Sequence, residues 1–190
     1  MFSKPYLKNY FLFIFFLSSF GKSWGQNNFS IPLKIGYGFN SSISLNEDET
    51  SNVNGIIIQS GLEYEFKIYK NLFAETGLAG RAILASGKTE NSSYKAKTLR
   101  LRLPVKLGWT ISEKWKVASG IAIQNNKDFI TIDLREKYFW RYDLLFEGKY
   151  NWVKNWFGVA SINYELRNLP NAYFINDPRF VISLGVGREF

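Results

Sequence analysis

The sequence predicts an all-β fold: a transmembrane antiparallel up-and-down β-barrel of eight strands, with short turns at one end and longer loops at the other. Three observations in its 190 residues predict this. Eight runs alternate apolar with small or polar side chains, the connections between runs alternate in length, and aromatic residues gather where the runs end. A strand sends successive side chains to opposite faces, so period two with one greasy side gives a sheet with one apolar surface.

The chain begins with an address. Lys4 and Lys8 precede an uncharged run, Asn9 to Gly21, rich in Phe and Leu, and Ser23 and Gly25 are the small residues a signal peptidase accepts. Residues 1–25 read as a cleaved secretory signal peptide, with a membrane anchor as the alternative. The run is shorter than the roughly 20 apolar residues a spanning helix needs. Residues 26–190 are then the barrel domain. Loss of Lys4, Lys8 and Lys22 takes the formal charge from +8 to +5, which does not point to nucleic acid as a partner. There is no Cys, so an exported chain of this kind needs something other than disulfides to hold it together. A closed sheet is the candidate.

The first run carries Phe29, Ile31, Leu33, Ile35, Tyr37 and Phe39 at odd positions and Ser30, Pro32, Lys34, Gly36 and Gly38 between them. The second, Ile56 to Ile68, sets Ile58, Leu62, Tyr64, Phe66 and Ile68 against Gln59, Gly61, Glu63, Glu65 and Lys67, with Ile57 and Ser60 out of step. In the third, Leu72 to Leu84, Phe73 and Ile83 fall on the polar side with Glu75, Gly77, Ala79 and Arg81. The fourth is the cleanest: Leu99, Leu101, Leu103, Val105, Leu107 and Trp109 alternate with Arg100, Arg102, Pro104, Lys106 and Gly108. Proline removes a ladder donor, so a local bulge is expected at Pro104.

Four more runs begin near Trp115, Tyr138, Trp156 and Arg179. Trp115, Val117, Ile121 and Ile123 oppose Lys116, Ala118, Gly120 and Gln124, and Trp140, Tyr142, Leu144, Phe146 and Tyr150 oppose Arg141, Asp143, Glu147 and Lys149. Ala160, Ile162, Tyr164 and Leu166 oppose Ser161, Asn163 and Glu165. The last run reaches the final residue, with Arg188 interrupting the row Phe180, Ile182, Leu184, Val186 and Phe190. Runs of about 9–13 residues suit strands that cross a bilayer at a tilt. The links around Lys70, Ser112 and Val153 are short, and those around Asn46, Asn91, Asp128 and Asn171 are long and polar. Unequal ends, with periplasmic turns and extracellular loops, mark a barrel of the Gram-negative outer membrane.

Alternation alone also fits a soluble sandwich or lipocalin, whose apolar face turns inward. Aromatic placement favours lipid outside. Trp109, Trp115, Tyr150, Trp152, Trp156 and Phe190 lie toward the short turns, and Tyr37, Phe39, Tyr138, Trp140 and Tyr164 toward the long loops. Two belts of amphipathic rings are what two lipid–water interfaces select.

The stretch Thr98 to Trp109, Thr-Leu-Arg-Leu-Arg-Leu-Pro-Val-Lys-Leu-Gly-Trp, and the ending Gly-Val-Gly-Arg-Glu-Phe resemble strands of the PorT-like outer-membrane β-barrel proteins. The likeness covers the mature chain in pattern. It implies an eight-stranded barrel in the cell envelope, and an accessory role in protein export or surface assembly as one function. Terminal Phe190 is similar to the signal by which the barrel-assembly machinery recognises its clients, with Arg188 a departure from the aromatic common at that position.

A barrel of eight strands is just wide enough for side chains to fill. Glu63, Glu65, Glu75, Arg81, Arg100, Arg102, Lys106, Lys116 and Arg141 should therefore form a structural polar network in the lumen. Counted from the turns, Glu65, Glu75, Lys106 and Lys116 should share one depth, with Glu63 and the arginines higher. A narrow channel along these residues is the alternative to a plug. Without His or Cys there is no Ser–His or Cys–His nucleophile and no zinc site of the usual kind. A carboxylate pair such as Glu63 with Glu65 would be shut inside the plug, so no catalytic residues, cofactor or metal are assigned and the chain is not read as an enzyme. Glu47, Asp48 and Glu49 lack the spacing of a calcium loop. Lys88, Lys95 and Lys97, with Arg135, Lys137 and Arg167, could meet lipopolysaccharide phosphates at the outer leaflet. The expected partners are thus outer-membrane lipid and lipopolysaccharide, the assembly machinery, and export or envelope proteins, for a chain expected to be a monomer.

Overall fold

The computed structural model describes residues 27–44, 50–88, 93–127, 138–166 and 179–190. Residues 1–25, read above as a signal peptide, the acidic triplet Glu47 to Glu49, and Arg135, Lys137 and Arg167 lie outside the described residues.

Eight strands follow in chain order: β1 (Asn27–Ser44), β2 (Thr50–Tyr69), β3 (Leu72–Lys88), β4 (Ser93–Thr110), β5 (Trp115–Lys127), β6 (Tyr138–Val153), β7 (Trp156–Leu166) and β8 (Phe180–Glu189). Each pairs antiparallel with the next, and β8 returns to β1 to close the barrel. The closing ladder runs from Ser30↔Glu189 to Phe39↔Phe180, and the amide of Phe190 donates to the carbonyl of Phe29 at 2.8 Å. Closure leaves no sheet edge with unpaired backbone groups, which an apolar surrounding would punish.

The short turns carry the local signals that make them tight. Lys70 and Asn155 adopt left-handed backbone, with φ of 40° and 66°, and each turn has a register shift just before it, at Lys67/Tyr69 and Asn151/Val153. A left-handed residue next to a bulge matches turn twist to strand twist. In the β4–β5 turn the Ser112 hydroxyl accepts from the amide of Trp115 at 3.2 Å, a local bond that replaces the ladder.

Two expectations are corrected here. The strands are longer than the apolar runs. Polar residues on both sides of 45–49 continue the β1–β2 ladder to Ser44↔Thr50, and those on both sides of 89–92 continue β3–β4 to Lys88↔Ser93. Backbone pairing does not need apolar side chains once a hairpin is in register, so the connections expected to be long around Asn46 and Asn91 are largely strand. The other correction concerns Pro104, where no bulge forms. Pairing passes from Thr76↔Val105 to Ala79↔Arg102 with the register unchanged, and Pro104↔Ala122 keeps its place on the other side. The proline leaves a gap in one ladder without adding a residue, and the Thr76 hydroxyl donates to its carbonyl at 3.0 Å.

The alternation maps onto the two faces of the cylinder. Along β4, Leu99 (71% exposed), Leu101 (59%), Val105 (50%) and Leu107 (53%) look outward, while Arg100 (2%), Arg102 (3%) and Lys106 (3%) are buried inside. A water-soluble barrel would show the reverse. The misfits of the pattern are resolved by the same geometry: Ile57, Phe73 and Ile83 are buried in the lumen, and Ser60 is on the outside. Outward Arg188 lies over the rings of Phe190 and Trp156, at 5.1 and 5.9 Å, so its charge is carried among aromatic faces at the turn end.

Two lumen phenylalanines form a floor toward the turns. Phe73 lies across Gly108 and Phe157 across Gly187, each its cross-strand neighbour, and a Cβ at either glycine would overlap the ring. Glycine is required at these two places because the ring occupies its side-chain volume.

Candidate functional site: the charged lumen

The polar side of each strand points into a narrow lumen where most of its charged side chains are buried, so every charge there needs a partner; an ion left alone would cost about 3–5 kcal/mol. The structure arranges them in layers. Nearest the turns, Lys116 on β5 reaches Glu65 on β2 at 2.8 Å and Glu189 on β8 at 3.4 Å, with its ammonium 5.7 Å from the centre of the Phe73 ring.

Above it six groups form one cluster. Glu63, Glu75 and Glu147 bring carboxylate oxygens within 4.8 Å of one another. Lys106 bonds Glu147 at 2.7 Å, contacts Glu75, and lies 3.5 Å from Glu63. Lys149 reaches Glu75 at 2.5 Å, Glu63 at 3.0 Å and Glu147 at 3.7 Å. Lys34 reaches Glu63 at 3.3 Å and also contacts Glu147. Three convergent carboxylates have the donor chemistry of a divalent-cation site. Here three ammonium groups stand among them and balance their charge, so the cluster is neutral as it is.

The third layer is built on guanidinium. Asp143 accepts from Arg102 at 2.8 Å, Arg81 at 3.2 Å and the Gln124 amide at 2.6 Å. Gln59 accepts from Arg102 at 2.9 Å and from Arg81 at 3.1 Å, and Asn163 accepts from Arg102 at 2.8 Å. Arg141 pairs with Glu165 at 3.1 Å, and Arg100 is buried at the same end. Beside this layer a cavity of about 10 Å³ remains.

The nine residues expected in the lumen all point into it, but not at the expected depths. Glu63 belongs with Lys106 and Glu75, whereas Glu65 and Lys116 form a separate layer nearer the turns. Strands of a closed barrel are tilted and staggered, so equal counts from the turns do not give equal heights. Lys34, Asp143, Glu147 and Lys149 were legible as members of the polar face but not as members of the network, as were Gln59, Gln124, Asn163 and Glu165. Of the expected rim lysines, Lys95 and Lys97 are exposed on the outward side of β4 beyond Leu99, and the side chain of Lys88 lies outside the described residues. Phe190 is exposed at the turn end of the β8–β1 seam.

Chemically, this interior holds charges against one another. Carboxylates and ammonium groups are engaged with each other inside the wall, and the cluster presents no open face to a substrate.

No protein-family model and no curated protein matches the chain. Among solved structures, it is similar to a de novo designed transmembrane β-barrel, with 10% identity over 86% of this chain and 95% of that one, at a TM-score of 0.45. It is likewise similar to the Yersinia pestis outer membrane protein Ail, with 14% identity, 87% and 100% coverage and a TM-score of 0.45. The N-terminal β-barrel domain of Pseudomonas aeruginosa OprF gives 15% identity, 87% and 99% coverage and a TM-score of 0.45.

Proposed function

We propose that this chain is an integral outer-membrane β-barrel whose lumen is closed by its own side chains, and that it acts as a structural or interaction protein through its extracellular loops. The single observation that carries this reading is the inversion of its two faces: Leu, Ile, Val and aromatic side chains outside, a neutral cluster of three carboxylates and three ammonium groups inside. Exposed rings at the turn end, Trp109, Trp115, Trp152 and Trp156, support an interface there. Outward Lys95 and Lys97 suit contact with lipopolysaccharide phosphates at the opposite rim. Reconstituted into planar bilayers, the protein is expected to insert without producing stable conductance steps. Reproducible nanosiemens steps would overturn the plug, and a folded, monomeric protein in detergent-free buffer would overturn the membrane placement itself.

The finer reading is PorT-like kinship and an accessory role in export. It is supported by the Thr98–Trp109 strand and by the ending Gly185 to Phe190, whose last amide is bonded into the barrel seam. A deletion strain is expected to lose surface delivery of secreted proteins; normal secretion in that strain removes this role and leaves the barrel reading untouched.

A further inference from the structure

The turn end of the barrel carries a recess outside the lumen. A cavity of about 280 Å³ opens between the β4–β5 turn, the β6–β7 turn and the end of β8, and its wall includes Glu113, Lys114, Trp152, Lys154, Trp156 and Glu189. Its frame is backbone. The amide of Asn151 donates to the carbonyl of Lys114 at 2.8 Å, and the amide of Glu189 donates to the carbonyl of Asn155 at 2.8 Å. These two bonds tie the three segments together without using a side chain.

The recess straddles the boundary between the two media. Trp152 lies against Gly158, which stands on the outer side between lumen-facing Phe157 and Val159, and a Cβ there would come within 2.9 Å of the indole. Trp152 and Trp156 are both exposed, and outward Arg188 covers the Trp156 ring. One wall is therefore aromatic and continuous with the apolar band. The rest is ionic. Lys114, Lys154 and Glu113 are exposed, and none forms an ion pair among the described residues. Glu189 is 3.4 Å from Lys116, whose ammonium lies nearer to Glu65, at 2.8 Å.

Charges of both signs, held apart in one concave place beside two indoles, define the chemistry of an occupant. Lysine ammonium groups act as point charges for a phosphate. Two carboxylates in the same wall disfavour a headgroup that is only anionic and call for a cation with N–H donors. A primary ammonium supplies these donors and a quaternary one does not. Indoles settle at the level of lipid headgroups, with the ring toward the acyl chains and the N–H toward water.

We propose that this recess holds the headgroup of a phospholipid of the ethanolamine class, its phosphate between Lys114 and Lys154 and its ammonium toward Glu113 and Glu189. The site rests on the membrane placement given above.

The test is native mass spectrometry of the purified barrel, released from micelles that contain equal amounts of phosphatidylethanolamine, phosphatidylcholine and phosphatidylglycerol with identical acyl chains. The protein is expected to retain one ethanolamine lipid about two- to five-fold more often than either competitor, the worth of one exposed ion pair. Glu113→Gln is expected to erase the preference over the choline lipid, and Lys154→Gln to weaken retention of all three. Both positions are exposed in turns, so the urea midpoint of each variant is expected to stay that of the unaltered protein. Lys67→Gln, in the β2–β3 hairpin across the barrel, is expected to leave the preference unchanged. Equal retention of the three lipids by the unaltered protein would overturn the proposal, and so would preferential retention of the glycerol lipid. A loss in Lys67→Gln as large as in Lys154→Gln would also overturn it, by assigning the effect to diffuse charge at the turn end. A barrel that needs micelles yet shows no preference loses this site alone, whereas one that is folded and monomeric without detergent loses the membrane placement as well.

Discussion

Replacing Lys106 by methionine is expected to destabilise the folded barrel by about 3–5 kcal/mol, the range for removing one partner of a buried ion pair. Lys106 touches all three carboxylates of the cluster, and methionine keeps most of its volume. The loss is therefore electrostatic: Glu63, Glu75 and Glu147 would face Lys34 and Lys149 alone, leaving one negative charge with no counter-charge in a dry interior. Urea titration in micelles, followed by Trp fluorescence, measures it. The double variant Lys106→Met with Glu147→Gln restores neutrality and is expected to recover part of the loss, with a coupling energy of about 1–3 kcal/mol. If the single variant shifts stability by no more than about 0.5 kcal/mol, as an ordinary surface change would, the cluster is hydrated and the plug is not dry.

The second large effect is on the outer face. Leu103→Arg places a guanidinium near the middle of the apolar band, where transfer to lipid costs about 2–4 kcal/mol. Leu99→Arg sits close to where Lys97 and Lys95 take over, and is expected to cost about 0–1 kcal/mol. Folding both variants into lipid vesicles and comparing their unfolding free energies gives the depth profile. Two small and equal costs would mean that this face meets water. The same pair of substitutions separates outside from inside, because both positions are exposed in the barrel and neither touches the charged lumen.

Much of the architecture is legible along the chain because period two is a local property. The direction of Leu101 or Arg102 follows from strand geometry alone, and so does the burial of Ile57, Phe73 and Ile83, apolar residues that stand on the polar side of the alternation. Strand ends were less legible. Ser41 to Ser44 and Thr50 to Asn54 carry little apolar signal, yet they pair, since the ladder is made by backbone. At Pro104 the general expectation of a bulge gave way to a simpler solution, a missing ladder bond with the register intact.

The charged network shows where reading along the chain stops. Cross-strand neighbours in the lumen are often of like sign: Glu65 faces Glu75, Arg81 faces Arg100, Lys116 faces Lys149 and Asp143 faces Glu165. Taken as flat hairpins, these pairs repel. Their partners come from other parts of the wall, as with Lys34 on β1 and Glu147 on β6, or Lys149 on β6 and Glu63 on β2.

By itself the sequence determined which side chains share a face, how many strands there are and which medium each face prefers, because these depend on two-residue geometry and on transfer from water. Only the tertiary structure decided which acid meets which base. That choice is set by the stagger between strands, which has no value until β8 pairs with β1 and brings distant residues to one height across a narrow lumen.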